Sequence, residues 1–157
     1  MDRSAVLRSA ALLRDFTDVG LKILADSTVE RTVGPGEYAF RSGQASDALA
    51  FVVRGTLQLM PTDGGAPIGE VTAGDCLGGL SLLVDGERVL SAVAVDDVDL
   101  LELSRGAFEE LKKAHPRTAL KLTLCLAQDL AERLREARGP LREFLAAEVS
   151  KQQPEGR

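Results

Sequence analysis

Residues 74–95 combine the residue types that together can surround an anion. Gly78 and Gly79 let the backbone approach a ligand closely, and a short helical turn over Leu80–Val84 would present free N–H groups to negative charge. Arg88 adds a forked, permanently charged partner for phosphate oxygens. The segment therefore predicts an anion-binding site. Taken in isolation, its residues also fit a β-turn region that carries a surface arginine.

Composition limits the kinds of partner. A chain of 157 residues that is 45% hydrophobic and 27% charged predicts one ordinary globular domain. The net charge of −5 disfavours a nucleic-acid partner, because phosphate contacts need clustered Lys and Arg. No apolar run approaches the roughly 20 residues of a membrane helix, and charged residues interrupt residues 1–16, where a secretion signal would have its apolar centre. We expect a cytoplasmic protein with no membrane and no nucleic-acid partner.

Residues for catalysis or metal binding are few. His115 is the single histidine and precedes Pro116 in a connection, where a turn or capping role accounts for it. Cys76 and Cys125 stand far apart without metal-ligand spacing, which predicts two reduced, buried thiols. No nucleophile is paired with a base. We therefore expect no enzyme, no metal and no cofactor.

The apolar pattern changes twice along the chain, which predicts three regions before the tail. Helical spacing covers about residues 5–30, short β-like pieces between turn signals cover about 33–104, and helical spacing returns over about 105–138. Residues 139–157 fit a short helix and a polar tail. The order predicts an α+β fold, in which an antiparallel, jelly-roll-like β-roll is flanked by N-terminal helices and a long C-terminal helix.

Local signals mark the ends of these elements. Thr17 or Asp18 is placed to cap a second N-terminal helix, and Ser104 a helix that follows the roll. Pro116 suits the first turn of the last helix, and Asp63–Gly65 is typical of a hairpin tip.

The last helix has more apolar surface than its own domain needs. Its apolar arc, over Thr118–Arg138, is wider than the stripe of about 100° that a surface helix uses. Part of this arc has the four-three spacing of a paired-helix seam, formed by Leu120, Leu124, Ala127, Ala131 and Leu134. A second copy of the chain is the simplest partner, so we expect a homodimer. The alternative is a helix buried deeply within its own domain.

The element order and two motifs resemble the cyclic nucleotide-binding domain family over about residues 10–138. The stretch GEYAFRSGQASDALAFVVRGTLQLM is similar to the opening hairpins of that family, with Gly55 at a turn. LGGLSLL (Leu77–Leu83) and ERVLSA (Glu87–Ala92) are similar to its phosphate-binding cassette, which reads roughly F-G-E-L-A-L-L and then P-R-x-A-T-V. We therefore assign residues 1–138 to such a domain, with a degenerate cassette.

The resemblance implies a role for each cassette residue. Arg88 would pair with the phosphate oxygens of the nucleotide, and the Ser81 backbone N–H would donate to the same group. Gly78 and Leu80 would complete the phosphate cradle. The sugar and the remainder of the pocket would be met by Gly79, Leu77, Val89, Leu90 and Ser91.

The cassette departs from the family pattern at the sugar. Gly79 replaces the glutamate that holds the ribose 2′-hydroxyl, and Glu87 replaces a proline. Losing a hydrogen bond to a charged group costs about 1.5–3 kcal/mol, which weakens binding without abolishing it. On the last helix Arg133 or Arg135 stands where the family's transcription factors use hydroxyls to read adenine; either could contact a base, or both could be exposed charges.

Three hypotheses for the pocket follow: cAMP or cGMP bound in a modified site, a pocket that has lost nucleotide binding, or another small anion. The first predicts a regulatory ligand-sensing module that signals through the dimer helix to an unidentified downstream protein. The alternative is a dimerising or docking scaffold that keeps the fold without a ligand. About twenty residues follow Gly139, too few for a winged helix-turn-helix, so we expect no DNA-binding domain.

Overall fold

The computed structural model describes residues 1–136, so the predicted short helix and tail over 139–157 lie outside the described residues. Helices occupy both ends of this part of the chain. They are α1 (Arg3–Arg8), α2 (Asp18–Asp26), α3 (Arg105–Ala114) and α4 (Pro116–Glu136), with 3₁₀ helices at Ala11–Leu13 and Gly79–Leu82.

Between the helices lie two antiparallel sheets, and together they form the predicted β-roll. Their strands are β1 (Val29–Val33), β2 (Tyr38–Phe40), β3 (Ala48–Arg54), β4 (Thr56–Pro61), β5 (Gly69–Thr72), β6 (Cys76–Leu77), β7 (Leu90–Ala94) and β8 (Val98–Ser104). The strand order is β1-β8-β3-β6 in the first sheet and β2-β7-β4-β5 in the second. The α+β class and the β-roll are confirmed.

The sequence predicted two helix caps correctly, whereas the predicted boundary between the N-terminal helices and the roll was wrong. Thr17 Oγ1 accepts from the Gly20 N–H at 3.1 Å, and Ser104 Oγ accepts from the Ala107 N–H at 3.0 Å, as the cap signals predicted. Helix was expected to about residue 30 and the roll from about 33, yet β1 begins at Val29. Four of its five residues are exposed, so the strand lacks the apolar alternation that would have revealed it.

The first sheet is covered on both faces, which divides the core into two parts. In β8, Leu101 and Leu103 pack against the helices, while Val98 and Leu100 pack against the second sheet. This follows from the two-residue period of a strand, which sends successive side chains to opposite faces. The helices are thus fixed to the roll through β8 and its neighbour β3.

Gly55 makes the tight turn between β3 and β4, as its place in the sequence predicted. Its φ is +87°, and a Cβ there would lie 2.3 Å from the Asp97 carbonyl oxygen. Only glycine fits a left-handed residue in such close contact with another segment of backbone.

Helix α4 has one face in the core and another in solvent. Ala119, Leu122, Cys125 and Leu126 are buried against the domain. The five seam residues Leu120, Leu124, Ala127, Ala131 and Leu134 are exposed, with Leu120 at 59% and Leu124 at 52%. The wide apolar arc therefore divides between the domain core and an uncovered face. In residues 1–136 we find no helix long and apolar enough to span a membrane.

Candidate functional site

A pocket of about 360 Å³ opens between the second sheet and the segment from Leu77 to Leu90. Phe40, Leu59 and Leu90 provide an apolar wall from β2, β4 and β7. The opposite wall is the predicted cassette itself. Of the predicted site residues, those that line the pocket are Leu77, Gly78, Gly79, Leu80, Ser81, Arg88, Val89 and Leu90.

Arg88 lies along one wall of this pocket with part of its hydrogen-bonding capacity unused. Its Nη2 donates to the Ala48 carbonyl at 2.9 Å, and its Cζ lies 4.1 Å from the centre of the Phe40 ring. The Nε is buried and has no hydrogen-bond partner among the described residues. Burial lowers the pKa of Arg88, while the charges of Asp47 and Glu102 act in the opposite direction. The guanidinium keeps its charge, because an arginine pKa starts far above neutral pH.

Gly78 leaves the space in which the Arg88 guanidinium lies. Its φ is +78°, and a Cβ would lie 2.2 Å from Arg88 Nη1 and 2.6 Å from the Ala48 carbonyl oxygen. A side chain here would strain the backbone and displace the guanidinium. A glycine is therefore needed here for two reasons: the positive φ of the turn and the close approach of the Arg88 guanidinium.

The backbone donors of the cassette differ from the prediction. The helical turn expected over Leu80–Val84 is a 3₁₀ helix at Gly79–Leu82. The Ser81 N–H, predicted to face the anion, instead donates to the Gly78 carbonyl at 2.9 Å. The N–H groups of Gly79 and Leu80 begin this helix and have no acceptor within it. No backbone hydrogen bond within residues 1–136 is donated by these two amides, so they, rather than the Ser81 N–H, are the candidate backbone donors beside the pocket.

Ser91, also predicted as a pocket residue, serves the fold. It lies on β7 but does not line the pocket, and its Oγ accepts from the Ser42 N–H at 2.9 Å. This bond holds the loop after β2 against β7. The hydroxyl is thus occupied by the protein's own backbone.

Gly79 faces helix α4. A Cβ at this position would lie 2.8 Å from Leu126 Cδ2. The space that the family's glutamate side chain would enter is therefore taken by a buried leucine of α4.

Arg105, the first residue of α3, holds the rear of the cassette and was not singled out from the sequence. Its Nε donates to the Ser81 carbonyl at 2.8 Å, and its Nη2 donates to the Val84 carbonyl at 2.5 Å. Its Nη1 also pairs with the Asp85 carboxylate. No local signal marks this role, since the partners lie about twenty residues away along the chain.

The mouth of the pocket carries acidic as well as basic charge. Asp85 and Glu87 line it together with Arg88. The Asp85 carboxylate is paired with Arg105, and Glu87 is exposed. An anionic ligand would therefore meet the Glu87 carboxylate, which has no ion-pair partner within residues 1–136, near the guanidinium; in solvent this charge opposes binding modestly. Within residues 1–136 no three His, Cys, Asp or Glu side chains are grouped to hold a metal ion.

Comparison with known proteins identifies relatives of two kinds. The chain is 37% identical over 113 residues to the cyclic AMP receptor protein of Thermus thermophilus, which covers 69% of this chain and 52% of the receptor. It is 30% identical over 107 residues to lysophospholipase nte1 of Aspergillus fumigatus, over 64% of this chain and 7% of that enzyme. The chain thus spans about half of the receptor and a small part of the lysophospholipase.

Solved structures and a family profile agree with the sequence motifs. The N-terminal domain of a transcriptional regulator from Streptomyces coelicolor superposes with a TM-score of 0.74 at 28% identity, covering 85% of this chain and 98% of that one. Residues 30–115 match the profile described as "Cyclic nucleotide-binding domain". The matched region contains the roll, the cassette, Arg88 and Arg105. The chain belongs to the cyclic nucleotide-binding domain family.

Proposed function

We propose that the chain is a regulatory ligand-sensing module that binds a cyclic nucleotide, cAMP or cGMP, through Arg88 and the backbone N–H groups of Gly79 and Leu80, rather than through that of Ser81. The state of Arg88 carries this proposal. Its guanidinium lies against an open pocket, and its Nε is buried with no partner among residues 1–136. A buried donor without a partner costs free energy. An anionic ligand would recover it once the cassette moves to admit the anion, because the Nε itself is closed to the pocket in this arrangement. The Thermus relative is a cyclic AMP receptor protein, so a cyclic nucleotide is the first ligand class to test.

The size and lining of the pocket support a nucleotide. Its 360 Å³ lies in the range of small-molecule sites, which combine apolar walls with a few polar groups. Phe40, Leu59 and Leu90 offer apolar surface to the sugar and base, while Arg88 meets the phosphate. The missing carboxylate at Gly79 and the exposed Glu87 both weaken binding. We expect an affinity about tenfold to a hundredfold below that of a site with the complete cassette.

Calorimetric titration with cAMP and with cGMP tests this function. We expect saturable binding to the wild type, a loss of about tenfold or more in Arg88→Lys, which keeps the charge without the fork, and a larger loss in Arg88→Ala. Arg41→Ala is the matched control, because Arg41 also stacks on an aromatic ring, that of Tyr38, but does not line the pocket. Absence of saturable heat from the wild type at millimolar ligand would reject the sensor.

Restoring the family's glutamate tests the sugar position. Gly79→Glu is expected to tighten binding only if Leu126 moves aside, because the new Cβ meets Leu126 Cδ2. Gly79→Ala carries the same steric cost without the carboxylate and is therefore its control.

The proposed signal leaves the pocket through α3 and α4. An anion that draws the cassette toward Arg88 also moves the Ser81 and Val84 carbonyls, and Arg105 connects those carbonyls to α3. A ligand shifts such an equilibrium only by its differential affinity for the two positions. The shift would pass along α4 to a second copy of the chain and from there to a downstream protein.

Helix α4 supports a dimer through its exposed seam. Five small or apolar side chains at four-three spacing are exposed, which is unfavourable in a lone subunit and favourable between two copies. Sedimentation or light scattering tests this proposal. Ala127→Glu should split the dimer, whereas Gln128→Glu adds the same charge beside the N-terminal residues and should leave it intact. A wild type that is monomeric at high concentration would contradict it.

A scaffold without a ligand is the second candidate. Gly79 favours it, because the residue expected to hold the ribose is absent and its space is filled by Leu126. This candidate predicts a dimer in the scattering experiment and no binding heat in the titrations with cAMP and cGMP.

A further inference from the structure

A groove of about 740 Å³ lies between the N-terminal helices and the connection from α3 to α4. Its volume is about twice that of the nucleotide pocket, with which it shares no lining residue. Residues 15–23 contribute one wall, and residues 114–121 contribute the other. No residue of the cassette or of the dimer seam lines the groove, so the proposed function leaves it without a role.

The wall formed by the N-terminal helices is largely apolar. Phe16 is buried at the base of the groove, and Val19 and Ile23 line it from α2. These last two side chains are four residues apart and therefore lie on the same face of the helix. Val19 is 70% exposed and Ile23 is half-buried, so this face is in contact with water. A partner that covered it would gain the free energy of burying apolar surface.

The other wall is cationic, although the chain as a whole has a net charge of −5. Residues 112–121, KKAHPRTALK, include four Lys or Arg and one His but no Asp or Glu. Arg117 and Lys121 line the groove from one face of α4. No ion pair within residues 1–136 includes either of them. Asp15 is the single acidic residue among those that line the groove, so the lining keeps a net positive charge.

An apolar wall beside a cationic wall is complementary to an acidic polypeptide segment that has apolar side chains on one face. A flat anionic membrane would not reach Phe16, because this residue lies at the base of a concave groove. A symmetric contact between two copies would bring the same cations of both subunits together, which is unfavourable. Charge and shape therefore favour a segment of a different protein.

We propose that this groove docks an acidic, amphipathic segment of a partner protein. The apolar side chains of the segment lie against Val19 and Ile23, and its carboxylates pair with Arg117 and Lys121. The inference goes beyond the proposed function, because docking at this groove requires no nucleotide. It also gives the downstream protein a defined place on the chain, at the junction of α3 and α4.

Peptide selection tests the chemistry of the partner. A phage library of random short peptides is selected on the immobilised full-length wild type. Selected peptides should be enriched in Asp and Glu interspersed with apolar residues, relative to the unselected library. The tightest peptide is then synthesised, and fluorescence anisotropy should show weaker binding as salt is added, because exposed ion pairs are screened. Absence of this enrichment would overturn the proposal.

Charge reversal tests the cationic wall. The double variant Arg117→Glu and Lys121→Glu should bind the selected peptide about tenfold more weakly or worse, because two attractions become repulsions. The double variant Arg41→Glu and Arg135→Glu is the matched control. It makes the same change in net charge at exposed residues that do not line the groove, and it should bind like the wild type.

A pair of valines tests the apolar wall. Val19→Asp should also weaken peptide binding about tenfold, because it removes an apolar contact and places a like charge against the peptide. Val29→Asp is the matched control, since Val29 on β1 is 67% exposed and does not line the groove. Thermal unfolding checks that each variant retains the fold, as expected for substitutions at exposed positions.

The outcomes separate this groove from other occupants and from the nucleotide pocket. Equal peptide binding by the wild type and by the Arg117→Glu, Lys121→Glu variant would overturn the proposal. A wild type that selects no acidic peptide but sediments with phosphatidylserine vesicles would assign the groove to a lipid surface instead. Dissociation of a dimer in the same double variant would assign it to a second copy.

Nucleotide titration of the Arg117→Glu, Lys121→Glu variant keeps the two proposals distinguishable. Neither residue lines the nucleotide pocket, so this variant should give the same result with cAMP and cGMP as the wild type. A wild type that binds the acidic peptide but no nucleotide would reject the sensor and leave the docking groove standing. The reverse result would reject the groove alone.

Discussion

The two faces of the cassette each carry an arginine, and the structure uses them differently. At the rear, the Arg105 guanidinium is engaged by the Ser81 and Val84 carbonyls and by the Asp85 carboxylate. At the front, the Arg88 side chain makes one hydrogen bond within the described residues, to the Ala48 carbonyl, and its Nε has no partner among them. The rear arginine is satisfied by the protein itself, whereas the front arginine retains capacity for a ligand. An arginine therefore serves structure at position 105, and we propose that an arginine serves binding at position 88.

The largest expected effect comes from Gly78, which lets the front arginine lie against the cassette. Gly78→Ala should lower the free energy of unfolding by about 3 kcal/mol and abolish nucleotide binding, because it adds strain at a positive φ and overlaps Arg88 Nη1 and the Ala48 carbonyl. Urea denaturation measures the first effect and calorimetry the second. Gly86→Ala is the matched control, since Gly86 also lines the pocket and has open space around its Cβ position. Equal stability of the two variants would contradict the assigned role.

Removing the rear arginine should have the next largest effect on stability. Arg105→Ala removes the donor of the partly buried Ser81 carbonyl and of the exposed Val84 carbonyl and should cost about 2–3 kcal/mol, with part recovered in Arg105→Lys. Urea denaturation provides the measurement. Lys112→Ala, on the exposed face of the same helix, should change stability little. If Arg105→Ala unfolds like the wild type, the rear contacts are not structural.

Removing the front arginine, Arg88, should affect ligand binding strongly and stability only slightly. Arg88→Ala gives up one hydrogen bond and a contact with the Phe40 ring, while the cost of burying part of a charge disappears. The free energy of unfolding should therefore change by only about 1 kcal/mol, although nucleotide binding is lost. Denaturation and calorimetry on the same sample test both halves. If Arg88→Ala is as unstable as Arg105→Ala, the front arginine is structural too, and the two faces of the cassette do not differ in the way proposed.

The sequence anticipated features that depend on local chemistry. Thr17 and Ser104 cap their helices, Gly55 turns between two strands, and the cassette residues Gly78 and Arg88 meet at one pocket. Caps and tight turns are specified by a few neighbouring residues, which explains why they could be read. The cassette followed from a motif whose spacing this chain retains.

The features that sequence missed depend on tertiary contacts. The role of Arg105 exists only once the start of α3 is brought against residues 81–85. Likewise, only packing shows that Leu126 fills the space beside Gly79. The Ser81 N–H was assigned to a ligand because the resemblance cannot show that a 3₁₀ turn already uses it. The errors at Arg105 and Leu126 concern contacts between distant segments, whereas the Ser81 N–H is used within a local turn and the start of β1 at Val29 is an error of element boundary.

The smallest expected effect concerns Cys76, on the strand that leads into the cassette. Burial, with the nearby Asp129 charge, raises the pKa of its thiol from 9.0 to about 11. The folded state therefore keeps the proton that the unfolded state loses, and stability should fall as the pH rises from about 9 to about 11. Cys76→Ala should flatten this slope, and Cys125→Ala should flatten it less. The measurement is the denaturation midpoint as a function of pH over this range. If the midpoint falls equally steeply with pH in the wild type and in Cys76→Ala, the raised pKa of Cys76 is contradicted.

The most direct test of the account observes the two arginines together while ligand is added. In a ¹⁵N–¹H spectrum, the Nε–H signals of Arg88 and Arg105 can be assigned from their loss in Arg88→Lys and Arg105→Lys. Titration with cAMP or cGMP should shift the Arg88 signal strongly as its unpartnered Nε gains an anionic acceptor, while the Arg105 signal moves far less. An Arg88 signal that stays unchanged at millimolar nucleotide would contradict the claim that this pocket binds a cyclic nucleotide through Arg88.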